Sequence, residues 1–367
     1  MKNKKNFAAS VVFLAFLAGI ALLAVFLPKS GYSENEKRML AQFPELSWSS
    51  VTDGSFGKDL ETYLSDHFPL RDLWVGLHAY TEQALGQNGR SGIYAGKDGY
   101  LIAAPAEFDR AKATRNIGFL RNFAESTGLP ASIMIVPTAG YMLDEKLPAN
   151  HEPYFDGELF SLIEENAGSM QVVDLRDTLR GTENAYYRTD HHLTSAGAHA
   201  MYQAFFPGAP AYSRTETVPG FYGTGYSKSG LWLKKADDLE IWEVPGDYTV
   251  TIREGKTETA YNSLYFPDHL EKMDKYPVFL DGNHSVVTVE NPDCTNGRRL
   301  LILKDSYAHC FSTFAASQCE EICMVDLRYY KGSVPELIER YGLNEILYLY
   351  GAENLATSTD IAWLNGQ

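Results

Sequence analysis

Two short segments of this sequence carry side chains that could act together in acyl chemistry. Asp190, His191 and His192 come just before a helix start, and Ser306 follows an apolar run much later in the chain. An Asp two positions before a His can orient and polarise its imidazole, which can then take the proton of a serine hydroxyl. The pattern is typical of a Ser-His-Asp hydrolase or acyltransferase, with Ser306 as nucleophile, His192 as base and Asp190 as orienting carboxylate.

Other interpretations of the same residues stay open. Asp190, His191 and His192 could ligate a metal ion, with His199 on the following helix as a fourth ligand, or could simply cap that helix. Ser306 could likewise be only a helix cap. If the Ser-His-Asp interpretation holds, His191 is expected to point away from His192.

Donors for an oxyanion are also present in the sequence. We predict that a helix begins at Ser306 or Tyr307, and the N–H groups of a first helical turn carry partial positive charge. Gly282 and Asn283 could add a backbone N–H and a side-chain amide, although a Gly-Asn pair more often marks a turn. Arg328, Tyr329 and Tyr330 follow a later predicted strand, where they could contact a substrate or pack on the surface.

The elements around these residues alternate between strands and helices. Strands are predicted over 131–136, 171–175, 299–304, 322–327 and 345–350, and helices over 107–127, 157–167, 194–205, 306–317 and 334–341. Repeated β-α units predict an α/β fold with a doubly wound parallel sheet and helices on both faces. Ligands of such sheets bind at the carboxyl ends of the strands, where His192 and Ser306 are expected to meet.

Composition changes along the chain suggest five segments. Residues 1–29 are predicted to be a membrane anchor, 30–92 a tether with a helical segment, 93–206 and 294–367 the two parts of the α/β domain, and 207–293 a β-rich insertion. Helices are expected on both sides of Pro69, which makes nearby His67 and Arg71 structural rather than catalytic.

The beginning of the chain predicts a membrane helix. No charged residue occurs from Phe7 to Leu27, and this run is long enough to span a bilayer. Lys2, Lys4 and Lys5 precede it, which predicts a cytoplasmic N-terminus and an extracytoplasmic body. An uncleaved anchor is favoured over a cleaved signal peptide, because the apolar run is long and no small-residue cleavage site is obvious.

Charge and cysteine usage exclude some classes of function. The formal net charge of −15 leaves no basic surplus to bind nucleic acid. Cys294, Cys310, Cys319 and Cys323 have no spacing typical of zinc sites, and their disulfide pairing cannot be read from sequence. No cofactor is predicted.

Together these motifs resemble a known family. Asp190-His191-His192 and Leu303-Lys304-Asp305-Ser306-Tyr307-Ala308 are similar to motifs of the DHHW protein family, whose members are similar to the alginate O-acetyltransferases of the SGNH superfamily. Further shared segments are 33–38, 66–72, 136–138, 281–283 and 325–330. The alginate enzymes show the same permuted order of Asp, His and Ser. Leu193 stands where the family name requires Trp, which puts the shape of the pocket in doubt more than the triad.

The resemblance implies an SGNH-like fold and a function. It implies a membrane-anchored, extracytoplasmic O-acyltransferase or esterase, with acetyl as the expected acyl group and a cell-envelope polysaccharide as substrate. Ser306, His192 and Asp190 would be catalytic, and the expected oxyanion or substrate contacts are Gly282, Asn283, Tyr307, Arg328 and Tyr329. An acyl donor or a membrane acyl-export protein would be a partner. The alternative is a non-catalytic glycan-binding or assembly protein with the same fold.

Overall fold

The structure is a computed structural model that describes residues 2–366, with side chains described from Phe7 onwards. The chain divides into two compact units. The first comprises the residues up to Gln87 together with Gly230–Leu233, and the second comprises Asn88–Ser229 and Lys234 onwards.

The first unit is helical. It contains α1 (Lys2–Phe26), the hairpin β1 (Tyr32–Ser33) and β2 (Arg38–Met39), and the helices α2 (Trp48–Thr52), α3 (Ser55–Asp66) and α4 (Arg71–Ala84). Residues Phe7–Phe26 have a mean hydropathy of 2.7 and are not buried, so by length and composition this helix could be a membrane anchor or a signal sequence.

The predicted helices on both sides of Pro69 are confirmed as α3 and α4. His67 donates a hydrogen bond from Nε2 to the carbonyl oxygen of Ala41 at 2.9 Å, and Arg71 forms an ion pair with Glu36. Both side chains tie the segment before α2 to these helices.

The second unit contains the remaining elements. Its strands are β3 (Gly89–Arg90), β4 (Ile93–Ala95), β5 (Leu101–Ala103), β6 (Ala131–Val136), β7 (Gln171–Val173), β8 (Glu216–Phe221), β9 (Asp237–Ile241), β10 (Thr249–Glu254), β11 (Thr257–Tyr261), β12 (Val286–Glu290), β13 (Arg299–Lys304), β14 (Glu321–Val325) and β15 (Glu345–Gly351). Its helices are α5 (Arg110–Thr127), α6 (Ala139–Met142), α7 (Asp156–Asn166), α8 (Arg176–Arg180), α9 (Ser195–Phe205), α10 (Thr224–Ser229), α11 (Ala308–Ala315), α12 (Val334–Tyr341) and α13 (Ala352–Thr357).

A mixed sheet of eight strands forms the centre of this unit, in the order β11-β10-β12-β14-β13-β15-β6-β7. The five strands from β14 to β7 are parallel, as expected. The prediction of a parallel sheet did not anticipate that three further strands, β12, β10 and β11, extend it in antiparallel pairing at one edge. These three strands come from the segment predicted as a β-rich insertion.

Both faces of the sheet are covered, which explains the continuous apolar run of β13. Leu300 and Ile302 belong to a core that includes residues of α9 and α11. Leu301 and Leu303 belong to a second core with residues of α5, α7, α12 and α13. A strand whose two faces are both buried has no polar face to alternate with, so its sequence is apolar throughout.

Candidate active site

Ser306 lies in the short turn that joins β13 to α11, and the preceding Asp305 holds this turn in place. One carboxylate oxygen of Asp305 accepts a hydrogen bond from the N–H of Tyr307 at 3.0 Å. The other accepts from the N–H of Gly351 at 2.8 Å and from Asn354 Nδ2 at 2.6 Å. Burial raises the pKa of Asp305. The turn that carries Ser306 is therefore hydrogen-bonded to the end of β15 and to α13.

A hydrogen-bonded chain connects Asp190, His192 and Ser306. His192 Nε2 lies 2.8 Å from Ser306 Oγ, and its Nδ1 bonds to Asp190 Oδ1. The backbone N–H of His192 donates to the same carboxylate oxygen at 3.0 Å. With Nδ1–H donating to the carboxylate, Nε2 is left to accept the proton of the serine hydroxyl. Ser306 remains partly accessible, whereas Asp190 and His192 are buried.

Thr224, at the start of α10, holds the second oxygen of Asp190. Its N–H donates at 2.7 Å and its hydroxyl lies 3.1 Å from Asp190 Oδ2. The preceding Gly223 lies so close that a Cβ atom there would be 2.1 Å from the Cβ of Asp190. Thr224 was not anticipated, because nothing local marks a residue 34 positions from Asp190 as its partner.

Tyr276 contacts both His192 and Ser306. Its ring stacks on the His192 imidazole with a centroid distance of 3.8 Å and an interplanar angle of 11°. Its hydroxyl donates to the carbonyl oxygen of Ser306 at 3.2 Å. No local pattern marks Tyr276 for this position, since it is one of 23 tyrosines and begins a short 3-10 helix, Tyr276–Val278.

His191 does not point away from His192, so that expectation is wrong. The two rings are 3.9 Å apart between centroids, and His191 Nδ1 bonds to the hydroxyl of Thr224 at 2.7 Å. The reason is that Thr224 bonds to the side chains of both Asp190 and His191. Tyr307 fixes the same segment through its hydroxyl, which donates to the carbonyl oxygen of His191 at 2.9 Å.

Three of the four residues proposed as metal ligands lie close together, and the fourth, His199, does not belong to the group. Ligand atoms of Asp190, His191 and His192 lie within 4.8 Å of one another. His192, however, already directs one ring nitrogen to Asp190 and the other to Ser306. His199, the proposed fourth ligand, instead accepts a hydrogen bond from the N–H of Tyr212 and packs in an aromatic cluster. The arrangement therefore fits proton transfer better than metal binding.

Gly282 and Asn283 lie just before β12, at the carboxyl end of β14, the strand that pairs with β13. Among residues 2–366, no hydrogen bond joins either of them to Ser306. Asn283 Oδ1 instead accepts from Arg328 at 3.3 Å. The backbone before Asn283 is unusual, because Leu280, Asp281 and Gly282 have φ values of 56°, 60° and 79°. Such backbone strain in bulky residues is often found near functional sites.

The side chains of Arg328 and Tyr329 differ in how accessible they are to a ligand. The Arg328 guanidinium bonds twice to the buried carboxylate of Asp326, at 2.8 and 2.6 Å, which raises the pKa of Arg328. Tyr329 is 54% exposed, and Arg328 lies 5.4 Å from the centre of its ring. Tyr329 is thus the more accessible of the two for a ligand.

A buried pair of basic side chains lies close to Ser306 in the sequence, on β13 and α11, and was not anticipated. Lys304 Nζ is 2.8 Å from His309 Nε2, and both side chains are almost fully buried. Burial lowers the pKa of Lys304 and also that of His309, which the nearby Lys304 lowers further. A neutral His309 can therefore accept a hydrogen bond from Lys304.

The helix after Ser306 begins later than predicted. Ala308 is its first residue and Tyr307 is its cap, so the prediction of a start at Ser306 or Tyr307 is wrong by one or two residues. The carboxylate of Asp305 has already taken the N–H of Tyr307. That N–H is therefore not available for an oxyanion.

The four cysteines are free thiols, and three of them are buried. Leu193 is buried as well and belongs to the core cluster that includes Tyr186. It fills apolar space and exposes 2% of its surface.

Comparison with known proteins confirms the resemblance to the DHHW family. Residues 157–325, which include Asp190, His192 and Ser306, match the family model described as DHHW protein. The chain is 25% identical over 178 residues to a probable alginate O-acetylase AlgJ of Pseudomonas syringae, covering 45% of this chain and 46% of that protein. It is 23% identical over 256 residues to the Pseudomonas putida protein of the same name, covering 66% and 63%. The matches thus span less than two thirds of either relative.

Solved structures share the fold. A DHHW family protein from Eubacterium siraeum has a TM-score of 0.64 at 24% identity, covering 77% of this chain and 96% of that one. Bacillus cereus PatB1, solved with a sulfonyl adduct, has a TM-score of 0.62 at 18% identity, covering 73% and 96%. At these identities the likeness establishes the mixed α/β architecture.

Proposed function

We propose that this protein is an O-acyltransferase or esterase that acts on a cell-envelope polysaccharide by a Ser-His-Asp mechanism, with acetyl as the acyl group. The observation that carries the proposal is the hydrogen-bonded chain from Asp190 through His192 to Ser306. The names of the curated relatives support acetyl as the group and a polysaccharide as the substrate.

The mechanism has two half-reactions. Ser306 Oγ attacks the carbonyl carbon of an ester while His192 Nε2 takes the serine proton. The bond to the leaving alcohol then breaks, the imidazolium returns the proton to the alcohol oxygen, and an acyl-serine remains. A sugar hydroxyl or water then attacks this acyl group and gives its proton to His192. The bond between the acyl carbon and Ser306 Oγ breaks, the imidazolium returns the proton to Oγ, and the acylated sugar or the free acid leaves. Asp190 stabilises the imidazolium in both halves.

The negative charge that develops on the carbonyl oxygen must be stabilised by hydrogen-bond donors. We assign this role to the backbone N–H groups of Ser306 and Gly282 and to the amide of Asn283. The N–H of Gly282 donates to the carbonyl oxygen of Phe279 at 3.3 Å and must leave that bond to take part. The loop with Gly282 and Asn283 supports the assignment, because it lies at the carboxyl end of β14, next to the strand that leads to Ser306. Tyr307, Arg328 and Tyr329 are proposed substrate contacts.

The proposal includes the placement of the protein. Helix α1 would hold an SGNH-like domain, composed of residues 93–206 and 294–367 around the insertion 207–293, on the outer side of the membrane. The apolar composition of Phe7–Phe26 supports an anchor. A membrane protein that exports acyl groups would then supply the donor.

The test uses the full-length chain in detergent with 4-nitrophenyl acetate as substrate. We expect Ser306→Ala and His192→Ala to reduce turnover to background, and a chelator to have no effect on the wild-type protein. A matched control is Ser317→Ala, because Ser317 lies in the short 3-10 helix Ala316–Gln318 that follows α11, away from the turn that carries Ser306. Equal rates in all variants would refute the serine mechanism, and chelator-sensitive turnover would favour the metal interpretation.

Leu193 favours a second candidate function. If the missing Trp were needed for catalysis, the fold would persist as a glycan-binding or assembly protein. In that case a fluorophosphonate probe would fail to label Ser306, while the wild-type and Ser306→Ala proteins would bind immobilised cell-envelope glycan equally.

A further inference from the structure

We propose that a cavity beside the Asp190–His192–Ser306 chain binds one neutral pyranose ring of the polysaccharide, and that the site disfavours polyuronates. This inference rests on the proposed function and adds the chemical class of the sugar. It concerns residues of α10 and α13 that were not identified from the sequence.

The cavity is suitably placed and small. Its volume is about 250 Å³, and its lining includes Asp190, His191 and Tyr307. Ser306 and His192 are not part of this lining, but His191 lies against His192 and Tyr307 directly follows Ser306, so a ligand in the cavity would lie beside the hydrogen-bonded chain. Pockets for drug-sized ligands usually begin at about 300 Å³. A single sugar ring is therefore the largest unit that the cavity is expected to enclose.

The walls of the cavity combine apolar faces with groups that can form hydrogen bonds. Ile102, Tyr154 and Tyr307 supply apolar and aromatic surface, which suits the C–H faces of a sugar ring. Lys228 of α10 and Glu353 of α13 supply a cation and a carboxyl group. Among the described residues, no ion pair shorter than 4 Å joins Lys228 to Glu353. Both can therefore bind sugar hydroxyls without first breaking a bond to each other.

The charges argue against an anionic sugar. The lining contains the carboxyl groups of Asp190 and Glu353, the imidazole of His191 and one ammonium group, that of Lys228, which lies at its exposed edge. The guanidinium of Arg328 at the neighbouring strand end is already paired with Asp326. A polyuronate brings one carboxylate with every ring to a chain of net charge −15, so repulsion opposes its approach. Alginate, which appears in the names of the curated relatives, is such a polymer.

The experiment compares two acetylated substrates that differ only in charge. The full-length protein in detergent is given O-acetylated β-1,4-mannotriose or the O-acetylated trimer of mannuronic acid, and acetate release is measured at low and high salt. We expect kcat/KM to be at least tenfold higher for the neutral trimer at low salt. The difference should narrow at high salt, because salt screens the repulsion.

Substitutions then test the cavity itself. Lys228→Ala should raise KM for mannotriose at least fivefold with kcat within twofold, and Glu353→Gln should reduce the preference for the neutral trimer. The matched controls are Lys235→Ala and Glu339→Gln, at exposed positions outside the cavity. The two control variants should hydrolyse both trimers and 4-nitrophenyl acetate like the wild-type protein, because neither side chain lines the cavity.

The outcomes separate the two proposals. If hydrolysis of 4-nitrophenyl acetate does not depend on Ser306, the proposed function fails and this inference falls with it. If that hydrolysis depends on Ser306 but the uronate is used equally well, or neither trimer is used, only the cavity assignment is refuted. Cavity variants that behave like the two controls would refute it as well.

Discussion

Asp190 uses both oxygens of its carboxylate, one for His192 and one for Thr224. This double attachment fixes the direction in which the imidazole can point and keeps a negative charge beside Nδ1. An amide in place of the carboxylate would preserve the shape and remove the charge. The expected consequence is a misoriented or wrongly protonated imidazole.

Asp190→Asn should therefore lower kcat for 4-nitrophenyl acetate by at least about a hundredfold, with little change in the melting temperature. Steady-state kinetics and a thermal melt would check this. Asp238→Asn is the control, since Asp238 is exposed on β9. A variant with near wild-type kcat would mean that Asp190 does not assist His192.

Tyr276 is a positioning residue, because it contacts His192 and Ser306 through its ring and its hydroxyl. Tyr276→Phe keeps the stacked ring, whereas Tyr276→Leu removes it. We expect the Phe variant to keep most of kcat and the Leu variant to lose about tenfold, with KM for 4-nitrophenyl acetate unchanged in both. A tenfold loss of kcat corresponds to a rise of about 1.4 kcal/mol in the activation free energy. Equal kcat values for the two variants would show that the stack does not position the base.

At the scale of elements, the sequence predicted best the segments with strong local signals. The bounds of β6, β13 and α12 agree with prediction, because apolar runs and a capping residue mark their ends. The antiparallel pairing of β10, β11 and β12 with the sheet was not predicted. An apolar pattern does not specify which strand will be the neighbour or in which direction the two will run. Thr224 and Tyr276 were missed for a related reason. Their contacts are with residues distant in sequence, and no spacing rule connects them.

Strand β14 contains a carboxyl group whose ionisation affects stability. Burial and, secondarily, the nearby Glu290 raise the pKa of Glu321 from 4.5 to about 7. Between these two values the folded chain holds a proton that the unfolded chain has lost. The free energy of unfolding should therefore fall as pH rises from 4.5 to 7, by at most about 3 kcal/mol from this group.

Glu321→Gln should weaken this part of the pH dependence, because the amide stays neutral. Urea unfolding at pH 5.5 and pH 8 would measure the difference between the two conditions for each protein. Glu336→Gln serves as control, since Glu336 is exposed on α12. If the wild-type protein and Glu321→Gln lose the same stability between these pH values, Glu321 does not titrate as described.

At the scale of the whole molecule, α1 should decide where the protein is found. If it is an uncleaved anchor, the full-length chain should stay with membranes during a carbonate wash and keep its N-terminus in mass spectrometry. Protease added from outside should digest the second unit. A shortened chain in the soluble extracytoplasmic fraction would show instead that α1 is a signal peptide.

The position of β13 in the sheet has a consequence for how the protein is made. This strand, which leads to Ser306, lies between β14 and β15, and both follow it in the sequence. Asp305 also needs the N–H of Gly351 and the amide of Asn354. A nascent chain that has not yet reached residue 354 therefore lacks the partners that hold the turn with Ser306. Ribosome-bound or prematurely ended products without these residues should fail to hydrolyse 4-nitrophenyl acetate.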